Sequence, residues 1–456
     1  MMPVILWTDI LIFLLIAVGI ASAWWIRHRP HLMLPWQRVA RSSVGMVSLL
    51  VLSLFILVGV LDTLHYRAAL PEKNNGQTVY SPEVLSVFDA LVSGLRSRTE
   101  KTYSAPLVAY LYAKESIGTA GGKVVRDYPR LKFGGAHLAD PERELAGDVV
   151  RRALLGASGG LLVVLMLAGG ILKLYPAARQ SKPLGAVFIA ALISAGLIGV
   201  ISNLASVYHV LGTDKVGQDV LYLSLKSIRT GLVIGTVTTL VMLPFALLLG
   251  VAAGYFRGWI DDVIQYLYTV LSSIPGVLLI AAAVLMMQVE IEMHADWFET
   301  AAARADVRLL CLCLILGVTS WTGLCRLLRG ETLKLREQEY IQAAQAFGVS
   351  SFRILMRHIL PNVMHIVLIS VVMDFSALVL AEAVLSYVGV GVDPTTISFG
   401  TMINAARLEM GRDPMVWWAL ASAFSFMLVL VLAANLFADA VRDAFDPRLN
   451  RTEATA

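Results

Sequence analysis

The chain has 456 residues, of which 57% are hydrophobic and only 15% charged. Soluble globular domains carry about 25% charged and about 45–50% apolar residues, so this composition excludes an ordinary soluble domain and points to an all-α polytopic membrane protein. The formal net charge of +4 comes from basic residues scattered at the ends of apolar segments, which excludes a concentrated nucleic-acid face.

Taken in chain order, nine apolar segments are predicted as spans, at 6–26, 44–62, 154–174, 184–207, 227–254, 263–288, 307–327, 363–388 and 415–438. Each is long enough to cross a ~30 Å hydrocarbon core. The first lacks a basic leader and is followed at once by RHRPH, so it reads as a retained span rather than a signal peptide. Arg27, Arg29, Arg38 and Arg41 follow it, Arg329, Lys334, Arg336, Arg353 and Arg357 follow the seventh span, and Arg442, Arg448 and Arg451 lie in the tail. An outside N-terminus places all three basic regions in the cytoplasm.

The predicted organisation follows. Residues 1–43 hold an additional span and a basic cytoplasmic segment, and 44–62 a second span. A small extracytoplasmic domain occupies 63–153, with a helix or two, and 154–207 hold two inserted spans. A core runs over 208–438 with a cytoplasmic loop at 328–362, and 439–456 form a cytoplasmic tail. The segment 63–153 is rich in Lys and Arg, but loops longer than about 60 residues are largely exempt from the charge rule. GTAGGKV at 118–124 falls one residue short of a phosphate-binding loop and has Val where Ser or Thr would hold magnesium, so it reads as a plain loop.

Within the core, Gly250 and Gly254 in GVAAG give a small-residue face for close helix packing. Cys311, Cys313 and Cys325 lie in or beside one apolar segment, where cysteine is a small buried apolar residue. The eight histidines show no metal-ligand spacing, and no Ser/His/Asp set or carboxylate pair supports hydrolysis. Asp214 and Asp219 in GTDKVGQD read as an outside loop with helix-capping chemistry.

The most informative stretch is QAAQAFGVSSFRILMRHILP, residues 342–361. Helix-forming residues run up to Gly348, which can take the left-handed conformation that ends a helix. Ser350 or Ser351 can cap a second helix, and Pro361 is predicted to close it. Ala343, Ala344 and Ala346 leave a surface that can press closely into a partner's groove, and Arg353 and Arg357 are spaced to meet acidic groups there. An amphipathic loop lying on the membrane surface satisfies the same residues.

Here a resemblance enters. EYIQAAQAFGVSSFRILMRHILPNV resembles the "EAA" coupling loop of bacterial ABC importer permeases, in the dipeptide/oligopeptide/nickel family and its C-type membrane subunit. VLGTDKVGQDVLYLSL (210–225), LAEAVLSYVGVGVDP (380–394), SFGTMINAAR (398–407) and DAFDPRLN (443–450) carry the same likeness, which covers 206–450. Gln342 stands where that family's namesake Glu would be, and an insertion over 63–207 departs from it.

The resemblance implies a type I permease core of five to six helices in the bacterial inner membrane. It implies a second, homologous B-type permease, two cytoplasmic ABC ATPases and an extracytoplasmic solute-binding protein as partners. Peptides or peptide-like solutes would be the substrates. The chain would bind no cofactor, ATP and magnesium being used by the partner ATPases. Coupling would fall to Glu339, Gln342, Ala343, Ala344, Gly348, Arg353, Arg357 and Pro361. Asp374 and Glu382, costly acids within the eighth span, could line the path or pair for structure. Asp214, Gly217 and Asp219 could serve outer-face docking or gating. Two rivals remain in view: a stand-alone secondary transporter, which would call for internal repeats, and a membrane receptor or assembly protein built around the outside domain.

Overall fold

The computed structural model describes residues 2–74, 77–118, 124–174 and 182–445. Strand β1 (Met2–Val4) leads into helices α1 (Trp7–Arg27), α2 (Pro30–Arg41) and α3 (Ser43–Thr63). Next come β2 (His65–Asn74), β3 (Gln77–Ser86), α4 (Val87–Leu91), α5 (Ser93–Ser97), β4 (Glu115–Gly118) and β5 (Val124–Asp127). The remainder is helical: α6 (Pro141–Leu174), α7 (Lys182–Ala205), α8 (Val220–Phe256), α9 (Trp259–Ser273), α10 (Gly276–Met293), α11 (Ala301–Ser320), α12 (Thr322–Arg336), α13 (Glu339–Ala346), α14 (Ser351–Ile354), α15 (Leu360–Val388), α16 (Phe399–Glu409) and α17 (Trp418–Phe445).

Among the described residues, nine helices are long and apolar enough to cross a membrane, in the order the sequence leads one to expect. The sixth differs in its bounds. The apolar stretch 263–288 breaks at Pro275, because the residue before a proline is pushed out of the helical region. Ile274 accordingly has φ −89° and ψ 131°. The spanning helix is α10, and α9 stands apart from it as a separate amphipathic helix.

The chain divides into two compact units. The first comprises Met1–Val4, Gln37–Thr230 and Ile397–Phe437. It contains the insertion, which is not purely helical. β1, β2 and β3 form one antiparallel sheet, in which Val4 pairs with His65 and His65 with Ser86, and β4 and β5 form a second. Of the helix or two expected there, the structure shows two short ones, α4 and α5. In the same unit α6 and α7 pack backbone against backbone: a Cβ on Gly156 would fall 2.3 Å from the Gly199 carbonyl oxygen. Most of the GTAGGKV loop (119–123) lies outside the described residues, as does the tail from 446.

The second unit comprises Ile5–Trp36, Gly231–Thr396 and Ala438–Ala456. In it α1 is tied to α11 by the Thr8 N–H, which donates to Asp306 at 3.1 Å. The GVAAG face does pack closely. A Cβ on Gly250 would lie 2.8 Å from the Cys325 carbonyl oxygen, and one on Gly254 2.6 Å from the Thr332 Cβ. Cys313 and Cys325 are buried, and Cys311 is half-buried.

Candidate functional site

The predicted helix–turn–helix at 339–361 is an elbow in the second unit. Helix α13 ends where Gly348 takes φ +74°, a left-handed conformation that costs glycine nothing. The Gly348 N–H donates to Gln345 O at 2.9 Å and the Val349 N–H to Ala344 O at 3.1 Å. That pair of bonds is the Schellman arrangement, which satisfies carbonyls left over at a helix end. Ser350 sits at the N-cap of α14 without a side-chain hydrogen bond, its backbone carbonyl accepting the Ile354 N–H at 3.1 Å.

Pro361 does not close the second helix. After α14 the chain makes a π-helical turn over Leu355–Ile359 and continues directly into α15, whose first turn contains Pro361. A proline in a continuous helix removes one donor and crowds the carbonyl four residues before it. The wider turn, in which the Leu360 N–H donates to Leu355 O, takes up that crowding. The elbow is therefore continuous with the span that follows it.

The elbow has two faces. Ile341, Ile354 and Ile359 are each 0% exposed and belong to one apolar cluster with Tyr255, Trp321, Leu324 and Leu328. Burying an isoleucine is worth about 1.5–3 kcal/mol, so three of them clamp the elbow to α8, α12 and α15. Polar ties surround this clamp. Arg329 grips Asp261 with two bonds of 2.6 and 2.7 Å, Arg257 pairs with Glu337, and Gln345 Nε2 reaches the Tyr255 hydroxyl at 3.4 Å.

The opposite face carries most of the predicted coupling residues. Glu339, Gln342, Ala343, Gly348, Arg353, Arg357 and Pro361 are exposed, and Ala344 is half-buried. Gln342 Nε2 donates back to Glu337 O at 3.3 Å. Among the described residues neither Arg353 nor Arg357 has an ion-pair partner. Two residues escape the sequence reading: Phe347, 87% exposed at the tip, and Phe352, 70% exposed just beyond it. Large exposed aromatics flanking a small-residue surface mark an interaction site. Their only sequence signal is an aromatic on each side of the Gly348 turn.

Asp374 and Glu382 both lie on α15, eight residues apart and therefore about 12 Å along the axis. Glu382 is 1% exposed and accepts the Ser386 hydroxyl at 2.7 Å, while Asp374 is half-buried.

In the first unit, Asp214, Gly217 and Asp219 fall in one tight loop ahead of α8. Asp214 Oδ1 accepts the backbone N–H of Val216 at 3.0 Å and of Gln218 at 2.8 Å. Asp219 Oδ1 accepts the Leu221 N–H at 2.8 Å and so caps α8, the chemistry read from the sequence. The other Asp219 oxygen meets His209 Nδ1 at 2.7 Å, and His209 Nε2 lies 3.4 Å from Glu100 of the insertion. Glu100 also accepts three backbone N–H groups, from Lys132, Phe133 and Gly134, at 2.9, 2.8 and 3.2 Å. All three side chains of this cluster are almost fully buried.

Burial alone would raise the Glu100 carboxyl, but hydrogen bonds from His209 and the three backbone amides outweigh it and hold the group at about 2. Burial would lower His209, but the hydrogen bonds and charges of Asp219 and Glu100 push it up to about 9. Glu100 thus contributes stability that is complete above its ordinary 4.5 and is lost as pH falls towards 2. His209 contributes stability that is complete below its ordinary 6.5 and is lost as pH rises through about 9. The insertion is expected to become steadily more protease-sensitive from pH 6.5 to beyond 9, and His209→Gln should remove that alkaline limb. A wild-type digestion rate that stays flat across this window contradicts the assignment.

Comparison with known proteins identifies relatives of the chain. Residues 246–451 match the family model described as the binding-protein-dependent transport system inner membrane component. The chain is similar to the oligopeptide transport system permease protein OppC of Mycobacterium tuberculosis, 32% identical over 52% of this chain and 76% of that protein. It is likewise similar to the glutathione transport system permease protein GsiD of Pectobacterium atrosepticum, 33% identical over 53% of this chain and 73% of that one. Among solved structures, an inward-facing form of the MetNI methionine ABC transporter aligns with a TM-score of 0.37 and 16% identity, over 50% of this chain and 98% of that one.

Proposed function

The chain belongs to the binding-protein-dependent transport system inner membrane component family, and from that premise we propose that it is the C-type permease subunit of an ATP-driven importer of peptides or peptide-like solutes. It works in the bacterial inner membrane beside a homologous B-type permease. One of two cytoplasmic ATPases docks on the elbow at 339–361, the other serving the second permease, and a solute-binding protein delivers substrate from the other side. The observation that carries this reading is the two-faced elbow. Ile341, Ile354 and Ile359 bind it to the spans, while Phe347, Phe352 and the Ala343 surface are left exposed for a partner.

In this reading the ATPases do the chemistry and the chain does mechanical work. Closure of the ATPases around ATP pushes on the exposed face of the elbow. The π-turn junction passes the displacement straight into α15, and the Arg329–Asp261 pair passes it to α9. Glu339, Gln342, Ala344, Gly348, Arg353, Arg357 and Pro361 shape or flank the contact. Asp374, with Glu382 a helical stretch away, lies on the helix that would bound the solute path. The basic short loops favour a cytoplasmic elbow, and the five spans between it and residues 63–153 then put that segment on the other side.

Purification of the tagged chain from its host membranes in mild detergent is the direct test. Recovery of two ATPases and a second permease is the expected result. Recovery of the chain alone, under conditions that keep a control importer intact, would sink the importer reading in favour of a receptor or a secondary transporter.

A further inference from the structure

The insertion is built onto the loop that precedes α8, not merely placed near it. The Glu100 N–H donates to Gly217 O at 2.9 Å, the Thr213 N–H to Ser104 O at 3.0 Å, and the Leu107 N–H to His209 O at 3.0 Å. A Cβ on Gly217 would fall 1.9 Å from the Glu100 carbonyl oxygen, and one on Gly212 2.5 Å from that of Ser104. Main chain therefore rests directly on main chain at two points. Trp418, the first residue of α17, closes the same knot by donating its indole N–H to Thr213 O at 2.9 Å.

A second fastening lies at the base. Lys226 of α8 donates to Asp62, at the end of α3, at 2.8 Å, and to Asp89, in α4 of the insertion, at 2.6 Å. The Tyr222 hydroxyl, one helical turn away, also donates to Asp89 at 2.8 Å. Backbone bonds at one level and a half-buried cation between two buried carboxylates at another leave no hinge, so the insertion moves with the N-terminus of α8. A cleft of about 650 Å³ opens at its edge. Inserted residues, Glu83 and Ser93 to Ser97, form one wall, and Gln218, Tyr222 and Ile397 form the other.

We infer that the insertion is a fixed docking platform: the solute-binding protein seats on its rim of this cleft, and the platform passes the contact to α8 through the Glu100–His209–Asp219 and Lys226 fastenings. The inference rests on the importer reading and on residues 63–153 facing outward. It differs from a lid, which would have to break the Gly217 and Thr213 contacts at each cycle. It also differs from docking on the loop alone, because Gly217 and Asp219 are buried and only the Lys215–Val216 tip and Gln218 stand exposed.

The test uses the whole complex in proteoliposomes. Cysteines are introduced singly as Ser97→Cys and Lys101→Cys on the insertion and Lys215→Cys on the loop tip. Each is labelled with a membrane-impermeant PEG-maleimide, and identically treated wild type controls for the three native cysteines. The readout is ATP hydrolysis against the concentration of the purified solute-binding protein that stimulates wild type, relative to the basal rate of the same preparation. Label on Ser97→Cys or Lys101→Cys is expected to raise the half-maximal concentration at least about tenfold. No change at either position, with stimulation lost only on labelling Lys215→Cys, returns docking to the loop and overturns the platform. A further pair, Thr102→Cys with Lys215→Cys, tests the lid: oxidation should leave stimulation intact, and loss reversed by reductant means that the insertion must lift. Should no solute-binding protein stimulate even wild type, the importer reading fails first and takes this inference with it.

Discussion

Gly217→Ala is expected to unseat the insertion and to destabilise the first unit by roughly 3 kcal/mol or more, the size reached when backbone strain and a steric clash act together. Gly217 has φ +76°, and a non-glycine residue held in the left-handed region costs about 1–2 kcal/mol. The larger cost is steric. The new Cβ would sit 1.9 Å from the Glu100 carbonyl oxygen and 2.4 Å from its carbon. Those atoms belong to backbone, so no flexible side chain can swing aside. Relief requires the loop and the segment around Glu100 to part, which breaks the 2.9 Å bond from the Glu100 N–H to Gly217 O. It also drags the Glu100 carboxylate away from its three amides and His209. Thermal unfolding of the purified protein, together with limited proteolysis of residues 97–135, would register the change. Gly348→Ala is the matched control, because Gly348 shares the positive φ but has nothing within 4 Å of a built Cβ. Equal behaviour of the two variants would contradict the seating described for Gly217.

The contrast between these glycines also shows what a sequence can disclose. Gly348 follows a helix-forming run and precedes two serines, so a helix-ending turn was legible from local chemistry alone. The capping role of Asp219 was legible for the same reason, as were the nine apolar stretches, since hydrocarbon thickness sets their length. Gly217 was legible only as a member of a loop motif. The atom that fixes it, the Glu100 carbonyl oxygen, lies in a distant segment with no periodic or spacing signal. The buried cluster hides in the same way: His209 meets Asp219 ten residues on, but its second partner, Glu100, is 109 residues away.

The misplaced boundaries have a different origin. Pro275 and Pro361 are the same residue type with opposite outcomes. The first splits an apolar stretch, while the second sits in the first turn of α15 behind a π-helical turn. Proline alone does not determine which occurs; the packing around it does. Ile359 and Val363, both fully buried, hold the chain helical through Pro361. Ile274 and Val277, both exposed, supply no such hold at Pro275. The strands were missed because pairing supplies their hydrogen bonds, and β1 pairs with a strand some sixty residues later, Val4 opposite His65.

Gly348→Pro is expected to abolish coupled transport while leaving the chain folded in the membrane. Proline fixes φ near −65° and has no N–H, whereas Gly348 has φ +74° and donates to Gln345 O at 2.9 Å. The turn cannot form, and the adjoining Val349-to-Ala344 bond is lost with it. A cost of about 3 kcal/mol or more at this one position falls on the junction between α13 and α14. The burial of Ile341 and Ile354 still holds each helix stub against the spans. What changes is where Phe347 and Phe352 point, and these are the exposed groups a partner would grip. The substitutions should therefore grade by backbone demand rather than by size. Gly348→Asn, which tolerates the left-handed region, should stay near wild type, and Gly348→Ala should lose part of its activity to about 1–2 kcal/mol of strain. Gly348→Pro should lose, together, retention of the ATPases on purification and uptake of the radiolabelled peptide that the wild-type complex transports. Retained ATPases with normal uptake in the proline variant would remove the elbow from the coupling path. Loss of uptake with the ATPases still bound would place Gly348 in transmission rather than in docking, with the π-turn junction to α15 as the next position to alter.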